Sequence, residues 1–264
     1  MPTVPYYHVD AFADRPFTGN QAAVMLLESW PEDAVLQGIA AENMFAETAF
    51  LLPGEDDADY ELRWFAPQVE IALCGHATLA SGHVVLSALL PDRDSARFAT
   101  RRAGLLEVTR GGNRYALSLP AYRAEPAPFD AAVALLGAAP EEVARHPGGY
   151  DVFRYAGADQ VRALDPDLRG LAGLGDMLFI CTAPGEETDV ISRVFVPGAG
   201  IDEDPVTGAA HAVLTPFWCD RLGREEFTAF QASARGGHLT CRRAGDRAVL
   251  GGSCVTVVEG TFRF

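Results

Sequence analysis

The chain repeats itself. Displaced by 133 residues, Gly75 falls on Gly208, Ala77 on Ala210, Arg102 on Arg235, Gly104 on Gly237 and Leu106 on Leu239. The stretch "TRGGNRYAL" (109–117) falls on "RRAGDRAVL" (242–250), with Arg110/Arg243, Gly112/Gly245, Arg114/Arg247 and Leu117/Leu250 identical. The offset holds without a gap over about forty residues. Just upstream, "FAP" (65–67) corresponds to "FVP" (195–197), with three residues more in the second copy. Chance, helped by abundant Gly, Ala, Arg and Leu, is the competing account. A single offset running through a glycine, an apolar run and a turn argues for duplication of a folding unit.

Each copy reads as strands, a glycine, a buried helix and a hairpin. "LLEVTRGGNRYALSL" alternates apolar positions around a Gly-Gly-Asn turn, a hairpin pattern. "YYHVDAF", "AAVMLL" and "TAFLLP" are strand-like, and "PEDAVLQGIAAENM" (31–44) predicts a helix with Pro31 near its start and acids in its first turn. The runs from Thr78 to Leu90 and from Ala209 to about Arg221 hold few polar residues, so each predicts a helix inside a core. The fold class expected is α+β: two pseudo-symmetric lobes, each a mixed sheet wrapped around a central helix. Residues 1–119, with a returning strand 255–264, make the first lobe and 120–254 the second. "PAYRAEPAPF" (120–129) has the composition of a linker.

A chain of 264 residues can hold two such lobes, and 48% hydrophobic with 22% charged residues fits a soluble globular protein. No apolar run reaches the length of a membrane span, and "MPTVPYYHVDAF" does not resemble a signal peptide. Five scattered cysteines do not form a disulfide framework. The expectation is a cytoplasmic protein with free thiols. A net charge of −15 repels nucleic acid and anionic membranes. Neither is expected as a partner, which leaves a small molecule.

The first N–H groups of a helix lack partners, and the macrodipole makes that end positive. Glycine there lets a ligand approach the backbone. If the two lobes are related by a pseudo-twofold axis, Gly75 and Gly208 place two helix starts at one cleft, a cradle for a carboxylate or an enolate-like oxyanion. Beside it stand Glu47 in an apolar strand, Cys74 and His76 around Gly75, and Glu203 and Asp204 before Gly208. Each has a plainer role open to it: Glu47 a solvent-facing strand residue, Asp204 a turn, His76 a structural hydrogen bond, Cys74 a small buried hydrophobe. His8, His83, His146, His211 and His238 lack such context and are expected to be structural or exposed. There is no G-x-S-x-G, H-E-x-x-H or Walker loop, and C-x-H spacing makes no zinc site without further ligands.

"VDAFADRPFTGNQAAV" (9–24), "NMFAETAFLL" (43–52), "FAPQVEIALCGHATLAS" (65–81), "VFVPGAGIDEDPVTGAAHAVLTPFW" (194–218) and "QASARGGHL" (231–239) resemble, in order, the PhzF-like phenazine-biosynthesis protein family. The resemblance implies the diaminopimelate epimerase-like fold with an active site between the lobes. It also implies a homodimer needing no metal, flavin or pyridoxal phosphate, and a proton-moving isomerase of a small carboxylate such as trans-2,3-dihydro-3-hydroxyanthranilate. Carried over by motif, Glu47 is the acid/base, and His76 and Asp204 complete the polar set. Burial is expected to tune the Glu47 carboxyl for giving and taking a proton. Backbone groups near Gly75–His76 and Gly208–Ala209 hold the substrate carboxylate. Asn20, Gln231, Arg235 and Gly237 line the cleft, with Cys74 and Thr207 beside the glycines. Two departures stand out. Ala209 replaces a serine frequent in the family, and Thr207 stands where a two-thiol racemase would carry its second cysteine, so only Cys74 remains. A cofactor-independent racemase and a non-catalytic ligand binder are the alternatives.

Overall fold

In each unit, alternating apolar side chains line one face of the strands, which wind around a helix too apolar to face water. The computed structural model describes all 264 residues in two units, Met1–Leu119 with Gly251–Phe264, and Pro120–Leu250.

The first unit runs β1 (Thr3–Ala11), β2 (Asn20–Leu26), α1 (Asp33–Asn43), β3 (Glu47–Pro53), β4 (Tyr60–Phe65), β5 (Glu70–Ile71), α2 (Gly75–Val84), β6 (Ser95–Thr100), β7 (Leu105–Gly111) and β8 (Arg114–Pro120). β1 pairs antiparallel with β2 and with the chain's last strand, Cys254–Arg263. β2 runs parallel to β3, β3 antiparallel to β4, and β4 parallel to β6; β6, β7 and β8 follow antiparallel. All of α2 except His83 is buried. Its small residues let strands close in: a Cβ on Gly82 would meet Val108 at 2.4 Å. Its hydroxyls turn back into the helix, Thr78 to the Cys74 carbonyl and Ser81 to that of Ala77, so no hydroxyl is stranded in the core.

The second unit runs β9 (Glu125–Pro126), α3 (Asp130–Leu135), β10 (Glu142–His146), β11 (Tyr150–Arg154), α4 (Ala158–Arg162), α5 (Leu168–Ala172), β12 (Leu178–Pro184), β13 (Val190–Val196), β14 (Ile201–Glu203), α6 (Gly208–Leu222), β15 (Glu226–Gln231), β16 (Gly237–Ala244) and β17 (Arg247–Gly252). β10 pairs antiparallel with β11, β11 parallel with β12, β12 antiparallel with β13, β13 parallel with β15, and β15 antiparallel with β16. This is the pattern of β1 to β7 over again. The duplication therefore covers the whole unit, although the sequence identities survive only around the central helix and the hairpin after it.

The helix starts lie at the two glycines, and two other boundaries differ from expectation. α2 and α6 start at Gly75 and Gly208 themselves, because each glycine is the first helical residue after an extended cap residue. α2 gives way to a π-turn at Val85–Leu89, and the Arg110 guanidinium, reaching the Leu86, Pro91 and Arg93 carbonyls, closes off its end. The Pro/Ala-rich segment is not a free linker, since Glu125 and Pro126 pair with Arg145 and Ala144 of β10. No helix is long and apolar enough to cross a membrane.

Candidate active site

In the first unit, register gathers the site. The β1–β2 hairpin opposes Ala11 to Asn20, and the parallel β2–β3 pair opposes Ala22 to Glu47, so Asn20 and Glu47 open neighbouring strands at one end of the sheet. Gly19 makes the entry to Asn20 possible: its φ is +67°, and a Cβ there would strike the Ala11 carbonyl oxygen at 2.2 Å. The start of α2 meets the same end. His76 Nδ1 lies 3.2 Å from Asn20 Nδ2 and 3.5 Å from Cys74 Sγ, and His76 Nε2 lies 3.1 Å from Glu47 Oε2. Nδ1 faces the Asn20 amide and the Cys74 sulfur, and Nε2 faces the carboxylate. That last approach is ionic contact without the angles of a hydrogen bond. His76 is buried, and Glu47 keeps 14% of its side chain exposed.

The pair's electrostatics follow from burial. The Cys74 thiol is pushed up to about 11, first by burial and then by the Glu47 charge. Burial also works to lower His76, but the Cys74 sulfur and the Glu47 carboxylate outweigh it and raise the ring well above its ordinary value. A thiol held that high is neutral at pH 7, so Glu47 is the charge that keeps a proton on His76. Glu47, Cys74 and His76 offer an oxygen, a sulfur and a nitrogen within 4.8 Å of one another, a set that could hold a metal ion. The imidazole, however, turns a different nitrogen to each partner. A single ion would have to draw both partners to one nitrogen. As it stands, the ring is a bridge for a proton.

Cys74 is the N-cap of α2, extended at φ −133°, ψ 112°, and its side chain makes no capping bond. Thr78 N–H closes the first turn on the Cys74 carbonyl. The backbone N–H groups of Gly75, His76 and Ala77 are the unpaired donors that a helix start offers an anion. Residues that the sequence left aside also gather here. His8 lies against Phe45 in a tilted ring pair with centroids 4.4 Å apart and meets Gln21 Nε2 at 3.1 Å, and buried Asp10 accepts the Phe17 N–H at 2.9 Å. His8 and Asp10 alternate on one face of β1, a period-two signal that "YYHVDAF" does carry.

In the second unit, Thr207 is the extended N-cap of α6, and it too makes no side-chain bond to its helix. Its hydroxyl donates to Asp204 Oδ2 at 2.5 Å, and its N–H donates to Gln231 Oε1 at 2.8 Å. Gln231 Nε2 donates to the Asp204 carbonyl at 2.7 Å and to Thr207 Oγ1 at 3.1 Å. Gln231 is fully buried with both amide hydrogens taken. It therefore holds the 204–207 loop. Ser233 adds a second tie, donating to the Pro205 carbonyl and accepting the Gly236 N–H. Gly237 opens β16 opposite Gln231, and half-buried Arg235 lies in the turn between them. Gly208 is buried, and Ala209, half-buried, follows it as the second residue of the helix. Glu203 is taken by Arg193, which grips both carboxylate oxygens at 2.7 and 2.9 Å. His211 lies beneath the helix start, donating from Nδ1 to the Thr207 carbonyl at 2.9 Å.

The structure thus assembles Asn20, Glu47, Cys74, Gly75 and His76 at one helix start, and Asp204, Thr207, Gly208, Ala209, Gln231 and Gly237 at the other. The family model described as phenazine biosynthesis-like protein matches residues 9–260. An uncharacterized isomerase of Pseudomonas aeruginosa is 44% identical over 258 residues, covering 97% of each chain. The crystal structure of an Enterococcus faecalis protein of the PhzF family superimposes with a TM-score of 0.93 at 38% identity, covering 100% of both chains. A hydroxyproline epimerase from Agrobacterium vitis, solved with trans-4-hydroxy-L-proline bound, has a TM-score of 0.61 at 12% identity over 98% of this chain and 92% of its own, a likeness of fold alone. The chain belongs to the phenazine biosynthesis-like (PhzF) family of isomerases, with the diaminopimelate epimerase-like α+β fold.

Proposed function

We propose that this protein moves a proton between two carbons of a small carboxylate substrate, with Glu47 as the group that takes and returns it. The observation that carries this reading is the 3.1 Å pairing of Glu47 with the buried His76 beside an uncapped helix start. The α2 N–H groups hold the substrate carboxylate. His76, bridged to Asn20, fixes the orientation of Glu47 and supports its charge as the proton leaves the substrate carbon. Cys74 is not the base, because burial keeps it a thiol at working pH. Thr207 in the matching position has no thiol at all. The family relation supports an enzyme that works without metal or organic cofactor, as a cytoplasmic homodimer, with trans-2,3-dihydro-3-hydroxyanthranilate as the first substrate to try.

The test is incubation in heavy water with that compound and a panel of chiral and conjugated carboxylates, followed by NMR. Deuterium entering at one carbon as a proton leaves another supports the isomerase. Exchange at a single stereocentre with loss of optical rotation identifies a racemase. Tight binding across the panel with no exchange identifies a binder and overturns the proposal.

A further inference from the structure

Two large apolar side chains of the first unit stand in water in left-handed backbone conformations: Phe17, 77% exposed at φ +72°, and Met44, 75% exposed at φ +55°. Other exposed apolar residues of this unit, Val69, Leu105 and Val258, have ordinary backbone angles. A lone exposed hydrophobe needs no explanation. One held in a sparsely populated conformation does, because surrounding structure must over-determine it. Met44 has a local reason, since it caps α1 and its N–H bonds the Ala40 carbonyl. Phe17 has no helix to cap. Its N–H is fixed at 2.9 Å by Oδ2 of Asp10, a carboxylate with only 1% of its surface exposed. A buried anion is thus devoted in part to holding an exposed phenyl group in place.

The position says what that group is for. Phe17 precedes Asn20 by three residues, and Asn20 touches His76; Met44 precedes Glu47 by three. Three residues of chain span at most about 10 Å, so both side chains can reach the neighbourhood of the Glu47–His76 pair. We infer that Phe17, positioned by Asp10, is a specificity-determining residue that covers the apolar body of the substrate while the α2 start holds its carboxylate. The inference rests on the carboxylate-isomerase reading above. It goes beyond that reading by selecting against short, wholly polar carboxylates on the strength of one exposed ring.

The test is calorimetric titration with sodium benzoate and sodium acetate as probes. The parent protein binds benzoate more tightly than acetate. Phe17→Ala lowers benzoate affinity about tenfold, the scale of losing one buried aromatic contact, and leaves acetate within twofold. Phe17→Leu restores part of the preference. Asp10→Asn keeps it, because the amide oxygen still accepts the Phe17 N–H, and Asp10→Ala loses it. Benzoate affinity within twofold of the parent in a folded Phe17→Ala protein overturns the inference. So does an equal loss for both probes, or a changed sedimentation coefficient with benzoate binding intact, which makes Phe17 a contact between copies. A parent protein that binds neither probe fails the carboxylate reading itself, and the inference falls with it.

Discussion

Each central helix buries a histidine in its first turn, and the two are driven in opposite directions. Burial works against charge on both rings. At His76 the Cys74 sulfur and the Glu47 carboxylate outweigh it, and the ring is raised well above its ordinary value. At His211 only the Thr207 carbonyl opposes it, and the ring is pushed down to about 4. The surroundings match. His76 has a carboxylate against Nε2, whereas His211 has a carbonyl at Nδ1 and the Ser192 hydroxyl 3.5 Å from Nε2. Duplication has kept one scaffold and divided the labour. The first unit's helix start carries groups that can exchange a proton. The second unit's is tied down by hydrogen bonds among Gln231, Thr207, Ser233 and the Asp204 carboxylate.

The largest expected effect breaks the comparison at its active half. Glu47→Gln keeps the volume and contacts of the side chain but cannot take a proton. General acid/base groups contribute about 10²–10⁴-fold, so deuterium exchange on any active substrate should fall at least about a hundredfold, with binding little changed. Near-parent exchange in a folded Glu47→Gln protein would falsify the assignment and move the role to Asp204.

The second prediction uses pH. A histidine with a native value near 4 and an ordinary unfolded value near 6.5 is neutral in the fold, while the unfolded chain gains a proton as pH drops. The stability it permits is whole above pH 6.5 and is lost as pH falls toward 4. Fully expressed, the loss is about 3 kcal/mol. His211→Gln should flatten this part of the profile, read by denaturant unfolding at pH 7 and pH 4.5. His76, raised instead, has the opposite sign: its contribution is present at acid pH and fades as pH rises through its native value. An unchanged acid slope in His211→Gln would mean that other groups set it.

The third prediction concerns the tie. Gln231→Leu strands the Thr207 N–H and the Asp204 carbonyl, each formerly bonded. An unsatisfied buried polar group costs about 1–3 kcal/mol, so the variant should lose about 2 kcal/mol by denaturant titration. A loss of exchange activity without loss of stability would return Gln231 to the substrate-binding role that its motif suggests.

Much of this was legible before any coordinates. The 133-residue offset shows the repeat, the glycines mark where both helices begin, and an apolar strand with one Glu marks Glu47. What stayed hidden is long-range. "QASARGG" says that Gln231 is near a site; only the folding of β15 beside the 204–207 loop shows that its amide is consumed there. The two histidines sit one residue after Gly75 and three after Gly208, and nothing local tells that one meets a carboxylate brought from residue 47 while the other meets a hydroxyl from residue 192. The repeat before the central helix is likewise invisible, because strand pairing constrains polarity and register more than residue identity. Phe17 reads as an ordinary loop residue until its backbone angle and the Asp10 bond are seen.

The smallest expected effect tests whether the lone thiol matters. Cys74 occupies the helix-cap position that Thr207 occupies in the second unit, and both are extended residues with no side-chain bond to their helices. The chemistry there is not shared, since a thiol pushed up to about 11 carries no negative charge at pH 7 and makes a poor base. Its remaining part is to crowd His76 Nδ1 at 3.5 Å alongside Asn20. Asn20 can do that alone. Cys74→Ala should therefore retain more than a tenth of the exchange rate, a barrier increase under about 1.4 kcal/mol, and Cys74→Ser should lie closer to the parent. The pH profile supplies the sharper reading. If the thiol only packs, its removal leaves the pH profile of exchange in place. Complete loss of exchange in a folded Cys74→Ala protein would show that the thiol itself moves the proton, and the division of labour between the two helix starts would have to be redrawn around it.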